Sequence, residues 1–424
     1  MPPVWSFNVA NSPSNSSPPD RLGWVSSPNQ RGTMDIIWPC VSTAALCLWS
    51  MAHLNVPSPS DTATTILVRK FRWLLLGILA PELVMMFAFA QMTSAHQSVE
   101  DMKALGYKHW TAAHGFYADS GGFRLHIAGY GKPFPITAKQ LAYLVEHNLL
   151  DMPSITEHEI NDRSKADGTA KALTFIQSGW FMTKLIGRVV QGLAVTPLEL
   201  ATSGLLLCSL TTLWFWWRKP LDTQTPTAVH AKQDIVTILL NAGDAAKVPF
   251  RDTPLDFVEP IVYWSSKFNP ALLRFILRWG LQERPLERIP NDRDYHPRNF
   301  KQNLYLAFPV ACFSSIHLLG WNLALPTSTE CTLWRVSVLI MEVSLSIHGV
   351  SEVVGFWRSG YKVGSMELWG EYKKRRSWSW IFIGLGLVNF LSRIFLLTEA
   401  VISLRALPEA AFLEVSWCQF LPRL

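Results

Sequence analysis

Six apolar runs of about twenty residues each decide what this chain can fold into. They cover Thr33 to Leu54, Trp73 to Met92, Pro197 to Trp217, Asn303 to Leu323, Thr332 to Val350 and Trp380 to Leu404. At a helical rise of about 1.5 Å per residue, such a run crosses a hydrocarbon core roughly 30 Å thick. Only a helix satisfies all its backbone groups within one segment, so helices are the expected elements. Composition agrees. Charged residues make up 17% of the 424, against about 25% in ordinary soluble domains, and mean hydropathy is +0.15.

Two further segments are harder to place. His109 to Ile127 is too polar for an ordinary span, and Ala172 to Val195 is apolar except at Gln177, Lys184, Arg188 and Gln191. Those four fall on one stripe of a helix, which lies at the interface or turns its polar stripe into a bundle. The expected architecture is an all-α polytopic bundle of six to eight spans. A disordered Ser/Pro/Asn-rich tail occupies residues 1–32. A membrane region covers 33–217, including the ambiguous segments 109–127 and 172–195. A cytoplasmic loop covers 218–301, with short helical patterns at 235–241 and 270–281, and a second membrane region covers 302–424.

Basic residues set the expected orientation. Arg69, Lys70 and Arg72 precede the second run, and Arg218 and Lys219 follow the third. Arg358, Lys362 and Lys373-Lys374-Arg375-Arg376 lie between the last two, while the turn from Ala324 to Cys331 has no Lys or Arg. With six crossings, or eight, every basic loop falls on one side, which is then cytoplasmic, and both termini lie on the other. The amino-terminal tail carries Asn15-Ser16-Ser17, the one N-x-S/T acceptor pattern in the chain, so Asn15 is a candidate glycosylation site. Cys331 and Cys418 fall on the same non-cytoplasmic side, where a disulfide persists if they meet. The net charge of +6 is spent on these flanking clusters. The expected partners are therefore the lipid bilayer and a lipophilic small molecule, with no nucleic acid.

Several stretches together resemble a large group of fungal multispanning membrane proteins that has no agreed activity. They are Arg31-Gly32-Thr33-Met34-Asp35-Ile36-Ile37-Trp38, Ala80-Pro81-Glu82-Leu83, Trp110 to Asp119 with Gly121-Gly122-Phe123, Ser164-Lys165-Ala166-Asp167 with Lys171-Ala172-Leu173, Trp216 to Asp222, Ile316-His317 with Trp321, and Leu333-Trp334-Arg335. The resemblance covers nearly the whole chain and implies a fungal endomembrane or plasma-membrane location. A place in secondary metabolism is an analogy with small membrane-bound terpene cyclases, whose own pattern this chain does not match.

Ionisable groups at membrane depth cost roughly 2.5 to 3.5 kcal/mol on insertion scales, so each requires a reason. Glu82 follows Pro81 in mid-span, Glu342 lies inside the fifth run, and His317 is centred in the fourth, one helical turn before Trp321. These three are the candidate catalytic residues, because desolvation favours the neutral, proton-donating form of a carboxyl. The structural alternative is a hydrogen bond across helices, with Arg188 as the candidate partner of Glu82. His114 and Asp119, together with Arg188, form a candidate polar cluster. His114 and Asp119 do not share a helical face, no metal-ligand spacing is present, and neither a metal nor a cofactor is expected. Gly115, Gly121 and Gly122 nearby serve a turn or a close helix contact equally well.

The chain has no Walker pattern, nucleophile elbow, HExxH or dinucleotide fingerprint. Three functions remain: a membrane enzyme acting on an isoprenoid-like substrate through an intramembrane carboxylic acid, a transporter, channel or receptor-like protein, and a structural membrane protein. No internal repeat favours the transporter.

Overall fold

The computed structural model describes residues 21–27, 30–164, 167–247, 250, 252–259, 286–293, 300–358 and 376–417. Asn15, Lys362, Lys373 and Cys418 lie outside them, as does the helical pattern at 270–281.

Among the described residues, eight helices form a bundle: α1 (Met34–Ser50), α2 (Ala63–Leu79), α3 (Pro81–Ala104), α7 (Asp167–Val190), α8 (Pro197–Phe215), α10 (Phe300–Leu318), α11 (Ser328–Arg358) and α12 (Arg376–Ile402). The hub is α8, which packs against α1, α3, α7, α10 and α12. Its start is fixed locally. Pro197 occupies the first turn, the Thr196 side chain accepts from the Glu199 N–H, and Glu199 accepts from the Thr196 N–H at 2.9 Å. Among the described residues, three helices are long and apolar enough to cross a membrane: Pro197–Phe215, Ser328–Ser351 and Gly384–Arg405. A fourth arises if α2 and α3 are taken together, though they are bent by 112°.

Six to eight full-length spans are therefore not what length and hydropathy give. The second expected run is broken because Pro81 lacks an N–H and pushes the residue before it out of the helical region; Ala80 sits at φ −151°, ψ 63°. Met34–Ser50 and Leu304–Leu318 are apolar but shorter than a full crossing.

The ambiguous segment 172–195 falls within and just past α7, and its polarity is turned inward. Gln177 donates to Ser42 and Thr43 of α1, and Gln191 donates to the Ser416 carbonyl. Leu173, Ile176, Trp180, Ile186 and Val190 are exposed. Lys184 is the exception in the stripe, lying over the Trp180 ring instead.

The other ambiguous segment is not a span. It folds into a compact module of α4 (Ala112–Asp119), β2 (Phe123–His126), β3 (Phe134–Ile136), α5 (Ala138–Glu146), α6 (Glu157–Asp162), β4 (Thr227–His230) and α9 (Ile235–Ala242). The sheet order is β3-β2-β4, with β2 antiparallel to β3 and parallel to β4. These strands correct the all-α expectation. They also join the 109–127 segment to the 218–301 loop in one sheet over a shared core that includes Trp110, Tyr117, Phe123, Phe134 and Leu141. The glycines there serve packing. A Cβ on Gly115 would lie 2.8 Å from the Ala95 carbonyl of α3, and Gly121 turns the chain at φ +83°.

Within the expected tail, the structure describes residues 21–27 and 30–32. The strand β1 (Arg21–Leu22) pairs antiparallel with β5 (Leu407–Pro408), and Arg31 donates to the Ala411 carbonyl and pairs with Glu199. This gathers the N-terminal ends of α1 and α8 with the chain that follows α12. The opposite end gathers Met51, whose carbonyl accepts from Trp73, with the Lys70–Asp222 pair and the Trp216–Gln91 hydrogen bond.

Candidate functional site

The break at Ala80 leaves the α3 N-terminus deep in the bundle, and Glu82 there is buried against Arg393 of α12 at 2.5 Å. The same guanidinium donates to the Leu79 carbonyl, among the C-terminal carbonyls that the break leaves unpaired in α2. It also lies over the Phe313 ring of α10, 5.0 Å from its centroid. Arg188 is therefore not the partner of Glu82. One helical turn beyond Phe313, the buried ring of His317 packs edge-on to it at 5.4 Å, and both rings meet Gly204 of α8. Between them in sequence, Ser314 donates to Glu342 Oε2 of α11 at 2.8 Å. Glu82, Arg393, His317 and Glu342 thus belong to one chain of contacts through α3, α12, α10 and α11.

Four atoms in this region are buried without a hydrogen-bond partner among the described residues: Arg393 Nη2, His317 Nδ1, Glu342 Oε1 and Asn389 Oδ1. Asn389 precedes Arg393 by one turn and shares its helix face. Such atoms cost roughly 1 to 3 kcal/mol each when left unpaired. Trp321 does not join them. It is partly exposed, lies under the Arg335 guanidinium, and its carbonyl accepts from Arg335.

The second candidate cluster separates into three unrelated roles. His114 caps its own helix: Nδ1 accepts from the Thr111 N–H at 3.1 Å, and Nε2 then donates to the Ile155 carbonyl at 3.1 Å. Burial holds its pKa below the usual histidine value. Asp119 accepts from Ser94 Oγ at 2.6 Å, the Ala138 N–H at 3.1 Å and Arg293 at 3.2 Å. Arg293 also pairs with Glu259, so one buried guanidinium holds two carboxylates. Burial raises the Asp119 pKa, with Arg293 opposing it.

Arg188 joins the end of its own helix to the chain after α12, donating to the carbonyl of Ala194 on one side and to those of Ala410, Ala411 and Leu413 on the other. Arg188→Ala should release that strap. Limited proteolysis is expected to cut within residues 407–417 of the variant under conditions that spare the wild type.

One buried group escapes sequence reasoning altogether. Lys219, fully buried, donates to the His53 carbonyl at 3.0 Å, Asn55 Oδ1 at 3.1 Å and Gln91 Oε1 at 2.8 Å, and lies 4.6 Å from the Trp216 ring centroid. In the sequence it reads as an ordinary basic residue flanking a span, and only burial distinguishes it. Burial pushes its amine down to about 7, with the Asp119 charge opposing. The unfolded amine keeps its proton to about pH 10.4, so above pH 7 the unfolded state binds more protons than the folded one. Stability therefore rises with pH from about 7 upward. The thermal midpoint of the wild type, measured relative to Lys219→Met, should increase between pH 6.5 and 9.

No group of three or more His, Cys, Asp or Glu is arranged to hold a metal ion among the described residues. The profile of one protein family matches residues 4–246 and 296–424. The chain belongs to that family, DUF8562, a family of unknown function. No curated protein and no solved structure matches it. The family match takes in all eight bundle helices and the strands of the module, while Glu259 and Arg293 lie in the segment between its two parts.

Proposed function

We propose that this protein is a membrane-embedded enzyme acting on a lipophilic, isoprenoid-like small molecule, with Glu342 as the working carboxyl and His317 one turn along the helix that carries its Ser314 partner. The observation that carries this reading is the set of unpartnered atoms on Arg393, His317, Glu342 and Asn389. Buried polar atoms are rarely left unpaired, and at membrane depth they mark functional positions. Glu82 is set aside as the acid because its charge is matched by Arg393 and its carboxylate holds the α2–α3 break in place. Glu342 keeps one oxygen for a substrate or a proton while Ser314 orients the other. A molecule with one polar group on an apolar body suits this arrangement, the polar group meeting the free donor and acceptors and the remainder lying among apolar helices.

To the three full-length spans α8, α11 and α12, the proposed membrane arrangement adds α1 and α10 as shorter crossings and α7 as a more polar one, with α2 and α3 as a re-entrant pair. Its support is geometric. Lys70 of α2 and Gln91 of α3 both meet the segment just after α8, while the turn between the two helices reaches Arg393 within α12. The inward polarity of α7 suits a lipid-facing helix. The module then lies with the basic segments on the cytoplasmic side, and the described parts of both termini lie opposite.

The test is native mass spectrometry of the detergent-purified protein. Wild type should carry a co-purifying lipophilic molecule that Glu342→Gln and Asn389→Leu retain poorly. Equal retention by all three proteins would exclude this centre as the binding site.

A further inference from the structure

Within the module, the parallel register of β2 and β4 sets His126 directly beside His230. Their ring centroids are 4.9 Å apart with the planes inclined by 33°. The pair is fixed from the backbone outward, since the Thr227 N–H donates to the Gly122 carbonyl at 2.7 Å and the Ala231 N–H to the His126 carbonyl at 2.9 Å, one bond at each end of the pairing. Neither imidazole donates or accepts a hydrogen bond among the described residues. His230 is exposed and His126 half-buried, so solvent reaches the pair.

We infer that His126 and His230 form a two-histidine chelate for a divalent transition-metal ion of the imidazole-preferring class, such as zinc, nickel or copper. An ion about 2.0 to 2.1 Å from one nitrogen of each ring lies roughly 3.2 Å from each ring centre. With centres 4.9 Å apart, two rings rotated about their side-chain torsions so that one nitrogen of each aims at a common ion subtend about 100° there, close to the ligand angles of tetrahedral and octahedral sites. Water or an external ligand completes the coordination on the open side. The strands are already paired, so little ordering opposes binding, and the ion ties the strand after α8 to the strand after α4. This site is separate from the intramembrane centre and does not depend on the function proposed for it.

The experiment uses the full-length, untagged protein, stripped with a chelator and titrated calorimetrically with zinc chloride. One saturable site is expected, accompanied by a rise in thermal midpoint. His230→Asn and His126→Asn should each weaken binding by more than about tenfold, the scale on which even a residue behind a ligand matters. Copper(II) on the wild type should give an electron paramagnetic resonance spectrum with two equatorial nitrogens, reduced to one in either variant. Zinc binding unchanged in both variants, or no saturable binding by the wild type, would overturn the assignment. His230 is exposed, so loss of binding in its variant with an unchanged midpoint in the metal-free state cannot be ascribed to misfolding.

Discussion

Glu82→Gln should destabilise the bundle by about 3 to 5 kcal/mol, the cost of leaving a buried charge without its partner. The charge is that of Arg393, only 6% exposed at its side chain, which would keep only neutral acceptors, the Leu79 carbonyl and the introduced amide oxygen, and no counter-charge. The effect should appear as a lower thermal midpoint in detergent and as faster cleavage around the α2–α3 break. Glu82→Gln combined with Arg393→Met removes both charges and should recover much of the loss, because apolar groups replace a buried ion pair at little cost. Glu342→Gln should behave differently. A Gln carbonyl still accepts from Ser314, no opposing charge is stranded, and the midpoint should stay close to that of the wild type.

Arg293→Met should have a comparable effect in the module. It leaves Asp119 and Glu259 facing each other with their shared guanidinium gone, again at about 3 to 5 kcal/mol. Part of that loss is relieved by protonation of one carboxylate, so the variant should regain stability as pH falls below neutral. Hydrogen exchange of the β2–β3–β4 sheet, followed against pH, reads this directly. Loss of protection should be confined to the module and greatest at high pH. An unchanged exchange pattern would show that the two carboxylates do not depend on Arg293.

How much of this is legible in the sequence follows from the range of the interactions. Apolar runs around residues 34–50, 197–215, 300–318, 328–358 and 376–402 announce helices because hydropathy is local. Pro81 announces a break, since its chemistry acts on its own neighbours. The Gln177, Lys184, Arg188 and Gln191 stripe of 172–195 leaves an interfacial and a buried placement open; three of the four side chains turn toward protein and Lys184 does not, and no pattern says that Arg188 binds carbonyls more than 200 residues away. Glu82 and Arg393 are 311 positions apart, and nothing in either neighbourhood identifies the other.

The sheet is hidden for a related reason. Phe123, Arg124 and Leu125 are all buried, so the strand lacks the alternation that marks a half-exposed strand, and its parallel partner comes from beyond two bundle helices. Of the candidate residues, Glu82, Glu342 and His317 fall within one region of the bundle. His114, Asp119 and Arg188 share composition but no common site.

The central claim is that Glu342 performs chemistry on a lipophilic molecule while Glu82 holds the fold. It is tested most directly in the native host, by deleting the gene, restoring it as wild type or as Glu342→Gln, and profiling lipophilic metabolites while quantifying the protein. Glu342→Gln is expected to accumulate to wild-type levels and leave the profile of the deletion strain, with the substrate retained and its product missing. A Glu342→Gln strain whose metabolite profile matches the wild type would contradict the account.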